Sequence, residues 1–193
     1  MEIPREFQLL HKSVTLVTNV FFVNKIPFFI TLSRDLCFVT VEHMRSRTSN
    51  QRIRYMNKTC SLYAHASYNV EILLLDMEFD PVSSKMLHGT VNMAEAREHV
   101  GDIEREIRVG KERERAMLNT LPFRAVPQKV ITELVYFTAL CLNTLPTKTG
   151  TSKVSSPSEI VSGNKLDFKL HFRIDFGEYE NVHDEPSPTN NMK

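Results

Sequence analysis

Asp76 ends the apolar run VEILLLD, residues 70–76, and Glu104 lies further on in a highly charged stretch. Open α/β sheets bind ligands at the carboxyl ends of their strands. A strand-end acid and a second acid on a neighbouring helix therefore form a pair able to share Mg²⁺ or Mn²⁺. Such hard cations take oxygen ligands and leave positions open for phosphate. Two of them, roughly 3.5–4 Å apart, activate a water or hydroxyl and steady the leaving oxygen, usually with a third carboxylate bridging the ions. Each acid also has a plain reading. Asp76 can cap a helix or sit solvated in a loop, and Glu104 can pair with Arg108 one turn along.

Glu104, Arg108, Lys111 and Arg115 recur at i, i+4, i+7 and i+11. One helix face with an acid followed by three cations would hold a phosphate backbone beside a metal. The alternative is a solvated salt-bridge face. Over residues 102–115 the acids Asp102, Glu104, Glu106, Glu112 and Glu114 are balanced by Arg105, Arg108, Lys111, Arg113 and Arg115. A second basic cluster, Arg45, Arg47, Arg52 and Arg54, reads either as a nucleic-acid patch or as plain solubility.

The composition narrows the classes. With 24 Lys+Arg against 23 Asp+Glu in 193 residues, the chain is neither a basic nucleic-acid coat nor an acidic tail protein, so any nucleic-acid site is a local patch. At 41% hydrophobic and 24% charged residues it is globular rather than disordered. The six glycines are scattered, which leaves no Gly-rich phosphate loop. Cys37, Cys60 and Cys141 are far apart, so no zinc knuckle is expected and buried thiols in a reducing compartment are. The charged residues Glu2, Arg5 and Glu6 leave no signal-peptide core. The longest uncharged run, residues 134–147, is shorter than the roughly 20 apolar residues of a membrane span, and no membrane partner is expected.

The elements that must position these residues follow from periodicity. Residues 13–23, 26–32 and 35–41 read as strands, with Asn24-Lys25 as the first turn, and their short connections dictate an antiparallel meander. Ile53, Met56, Cys60 and Tyr63 mark one face of a helix that starts near Thr48 and Ser49. The run 70–76 is a buried strand, which the helix joins in parallel. A short strand is expected within 88–93 and a charged helix at 98–118, with apolar stripe Ile103, Ile107, Gly110 and Met117. A buried helix then begins near Pro127 and runs to about Leu142. Beyond it the chain is polar, with a candidate strand at 166–176. The layout is a lead at 1–12, an α/β domain with a mixed sheet at 13–145, and an extended appendage at 146–193.

Several strings resemble the integrase regions of copia-type retrotransposon polyproteins. They are VTNVFFVNKIPFFITLSRD at 17–35, LLLDMEFD at 73–80 and REHVGDIEREIRVGKERERA at 97–116. LPF at 121–123, SPSEIVSGNKLDF at 156–168 and FGEYENVHDEPSPTN at 176–190 add to them. The resemblance implies a ribonuclease-H-like catalytic core, three strands followed by helix–strand units. The implied chemistry is DNA integration by metal-dependent polynucleotidyl transfer with Mg²⁺ or Mn²⁺. Implied partners are the DNA of element ends and target and other copies of the chain; the implied location is the nucleus. The family's order of carboxylates is Asp, Asp, Glu. Asp76 matches the second and Glu104 the third, with Glu98 as the other match for the third. Arg108, Lys111 and Arg115 are then the nucleic-acid-binding residues. The first position falls on Asn19. An amide donates a carbonyl oxygen but not the negative charge that bridges two cations, so the implied catalysis is impaired. The stretch from Asp76 to Glu104 is shorter than in the family, and Ala94-Glu95-Ala96 stands where a catalytic loop is expected. The chain accordingly reads as an excised or truncated reading frame, either an impaired integrase or a catalytically dead nucleic-acid-binding relic.

Overall fold

The computed structural model describes residues 12–75, 90–93, 101–123 and 125–178. Strands β1 (Ser13–Val23) and β2 (Ile26–Ser33) form a long antiparallel hairpin, in register from Val23↔Ile26 to Leu16↔Ser33. Its turn, Asn24 at φ 46° and Lys25 at φ 68°, is left-handed at both residues, which matches the twist of the two strands. Strand β3 (Val39–His43) is antiparallel to β2.

The third strand was expected to begin at Asp35. It begins at Val39, because residues 34–38 make a tight turn. Ser33 N–H donates to the Phe38 carbonyl, and Cys37, at φ 52°, donates its N–H to the Ser33 carbonyl. That turn drives Leu36 into the core at 1% exposure.

Helix α1 (Ser49–His65) crosses one face of the sheet and buries Met56, Thr59, Cys60 and Tyr63. Ser67 takes φ 65°, and Tyr68 N–H bonds back to the Tyr63 carbonyl, which ends the helix and starts β4 (Asn69–Leu75). Strand β4 runs parallel to β1, with a register shift between Val14 and Thr15, and β5 (Thr90–Met93) runs parallel to β4. The strand order is β3-β2-β1-β4-β5, a mixed sheet. Helices α2 (Gly101–Thr120) and α3 (Gln128–Thr144) follow.

The sheet has a core on each face. Val14, Leu16, Phe29, Leu73 and Leu75 pack with Met56, Cys60 and Tyr63 of α1. Val17, Phe21, Phe28, Ile30 and Val39 pack on the other face with Ile103 of α2 and Ile131 and Val135 of α3. Alternation along β1 therefore assigns odd-numbered side chains to the α2–α3 face.

The residues beyond 146 differ from the expected extended chain. Helix α4 (Pro157–Ser162) starts at Ser156, whose hydroxyl accepts the Glu159 N–H at 3.2 Å. It ends at Gly163 in the left-handed conformation, φ 73°. Ile160 and Val161 enter the α1-side core, and the Tyr68 hydroxyl donates to the Ile160 carbonyl at 3.2 Å. Residues 166–176 form no strand. Asp167 accepts the Lys169 N–H at 2.8 Å and caps a single turn, α5 (Phe168–His171). Local capping overrides the β-like composition there.

Candidate functional site

Asn19 lies in the middle of β1, paired with Ile30, and shares the α2–α3 face with Val17, Phe21 and Val23. It is half-buried, and its Oδ1 accepts the Val20 N–H at 2.6 Å. On the parallel neighbour the ladder reaches Val17↔Leu74, and Leu74 packs on the same face. Leu75 is the last described residue of β4; Asp76 and Glu98 lie outside the described residues.

The position of Glu104 follows from contacts on either side of it. Arg34, just past β2, donates its backbone N–H to the Thr15 carbonyl and pairs with Asp102 at 3.1 Å. The start of α2 is thereby tied to the Thr15–Leu16 level of β1. Further along, the Lys111 ammonium stands 5.9 Å from the Phe21 ring centroid, and Lys111, Arg115 and Leu118 line a cleft with Phe22, Val23 and Asn24. Helix α2 thus runs along β1 in the same direction. At about 1.5 Å per helical residue and about 3.3 Å per strand residue, 102 to 111 spans much the same distance as Leu16 to Phe21. Glu104, about 3 Å past Asp102 along the helix, falls near the level of Val17, about two strand residues before Asn19.

The faces agree as well. Glu106, Gly110 and Glu114 meet Val135, Thr138 and Ala139 of α3 across a small cavity. Glu104, Arg108, Lys111 and Arg115 lie on a neighbouring stripe, where Lys111 reaches Phe21 and Arg115 the hairpin tip. Glu104, Arg108 and Arg115 are exposed; Lys111 is half-buried over its ring.

Among the described residues no three His, Cys, Asp or Glu side chains gather closely enough to hold a metal ion. Asn19 brings no charge, and its oxygen is engaged by a backbone N–H. The described donors therefore do not fit a site for paired divalent cations.

An acid outside the candidate set is buried. Glu114 falls within the apolar stripe Ile103, Ile107, Gly110 and Met117, and helical spacing alone marks it as inward-facing. It is 3% exposed, and its Oε2 has no hydrogen-bond partner. Burial pushes its carboxyl up to about 7, against the opposing pull of Lys111 and Arg115. Thr138 Oγ1 lines the same cavity, also without a partner. That cavity, about 10 Å³, is close to the minimum that holds one water. A larger cleft, about 650 Å³, lies elsewhere, between the end of α2, Phe137 and residues 175–178.

No family model and no curated protein matches the chain. Solved structures do. The catalytic core domain of BIV integrase aligns with a TM-score of 0.54 and 16% identity, over 77% of this chain and 93% of that one. The catalytic core domain of HTLV-2 integrase, solved in complex with magnesium in a trimeric form, aligns with a TM-score of 0.53 and 14% identity, over 78% of this chain and 95% of that one. The fold is that of integrase catalytic cores. It is the ribonuclease-H-like arrangement that the resemblance implies, built on the mixed sheet expected from the order of strands and helices.

Proposed function

We propose that this chain is an integrase-like domain of a copia-type element that binds DNA and carries an impaired polynucleotidyl-transfer site. The observation that carries this reading is the placement of Asn19. It sits on β1, on the face covered by α2, between the levels that bracket Glu104, beside the parallel strand that leads to Asp76. Asn19, Asp76 and Glu104 are proposed as the descendants of a three-acid site for Mg²⁺ or Mn²⁺, and Arg108, Lys111 and Arg115 as its phosphate-binding face. Even an outer partner of a metal ligand is worth about 10–100-fold in affinity or activity. Replacing a bridging carboxylate with an amide costs at least that much. Self-association and action on nuclear DNA belong to the same proposal.

A second reading, a nucleic-acid-binding relic without catalysis, is favoured by the engagement of the Asn19 oxygen with the Val20 N–H. The two separate in a strand-transfer assay with Mn²⁺. Asn19→Asp should restore joining, and Glu104→Gln added to it should abolish the restored activity. An Asn19→Asp protein that binds DNA and joins nothing leaves the relic. Restored activity that survives Glu104→Gln removes Glu104 from the site.

A further inference from the structure

The tip of the β1–β2 hairpin carries a surface that the α2 face does not account for. Phe22 is 43% exposed beside the Asn24-Lys25 turn. The Arg47 guanidinium stands 5.5 Å from its ring centroid. Two clefts meet at Asn24. One, about 150 Å³, is lined by Phe22, Lys111 and Arg115 against α2. The other, about 500 Å³, is lined by Lys25, His43 and Arg45. The two basic clusters of the sequence, around Arg45–Arg47 and along α2, thus approach the same hairpin from two directions.

Acids are scarce there. Among the described residues the sole acid lining either cleft is Glu114, which burial keeps largely protonated up to about pH 7. The nearby Glu42 is paired with Lys58. An exposed aromatic ring with one guanidinium beside it, between two clefts lined by cations, complements one chemistry in particular. Phosphates meet the cations, and an unstacked base lies on the ring, whichever base it is. A duplex keeps its bases stacked and offers the ring no such face.

We propose that this hairpin tip binds single-stranded nucleic acid, with a base stacked on Phe22 and the backbone held by Lys25 and Arg45 on one side and Lys111 and Arg115 on the other. The proposal rests on the reading that the chain binds nucleic acid and adds where an unpaired strand sits.

The test is fluorescence anisotropy of the full chain with a labelled oligothymidylate and a labelled duplex. Phe22→Ala should weaken oligothymidylate binding roughly 5- to 150-fold, the span of one lost base stack, and leave duplex binding unchanged. Phe22→Tyr should retain it. Replacing Lys25 and Arg45 with Ala should reduce the salt slope for the single strand by about 1.4, from two lost phosphate contacts. Arg108→Ala, on the α2 face outside the hairpin clefts, serves as the comparison and should weaken the duplex. Full oligothymidylate affinity in Phe22→Ala overturns the hairpin site, while loss in the comparison variant leaves the α2 reading intact. A native chain that binds neither probe overturns both.

Discussion

Replacing Glu114 with Gln should make the protein more stable at neutral and alkaline pH. The folded state keeps the Glu114 proton up to about pH 7, whereas the unfolded chain releases it near the ordinary 4.5. The native state therefore gains most from this group below pH 4.5. Between about 4.5 and 7 the unfolded chain ionises first and the gain is lost; above 7 the full cost of a charged, buried carboxylate remains. The difference, 7 minus 4.5 at about 1.4 kcal/mol per pH unit, is about 3 kcal/mol. Gln keeps the shape and never ionises. At pH 8 Glu114→Gln should gain up to that amount, a rise in Tm of roughly 6–12 °C for a chain of this size. At pH 4.5 the two proteins should nearly coincide. Urea melts at pH 4.5, 6 and 8 read this directly. A variant with the same pH profile as the native chain would refute the reasoning, because Glu114 would then be solvated or paired.

Three further outcomes follow from single contacts. Asn143 accepts the Val39 N–H at 2.8 Å and donates to the Val39 carbonyl at 2.7 Å, both buried, so Asn143→Ala should cost about 2–5 kcal/mol in a urea melt. Ile160, 3% exposed within the α1-side core, should cost about 2–5 kcal/mol on conversion to Ala, and an unchanged melt would mean that α4 is not seated there. Burial raises the Cys60 thiol to about 11, so iodoacetamide at pH 8 should label half-exposed Cys37 in the native protein and Cys60 only after unfolding, as peptide mass spectrometry would show.

The hairpin, α1, β4 and α2 were legible because each has a clean apolar pattern, and the hairpin also has its Asn24-Lys25 turn. The start of β3 was not legible. DLCFVTV reads as continuous strand, yet the Ser33–Phe38 and Cys37–Ser33 hydrogen bonds turn its first half. The strand expected at 166–176 failed for a related reason, since Asp167 caps a helical turn across it. Helix α4 was hidden by its setting. Ser156-Pro157-Ser158-Glu159 is a legible cap, but only the tertiary fold places Ile160 in the core. As for the site, spacing alone grouped Glu104 with Arg108, Lys111 and Arg115. Where Asn19 lies relative to them depends on how α2 lies along β1, which no local pattern states. Glu114 was legible from the stripe it interrupts.

Val39 and Asn143 are joined by a pair of hydrogen bonds across more than half the chain. β3 is an outermost strand of the sheet, so this amide occupies backbone groups that would otherwise offer themselves to a foreign strand. The partner comes from a helix that follows the meander by more than 80 residues, so the three strands alone leave that margin open. Helix α3, besides covering the sheet, thus closes part of its rim.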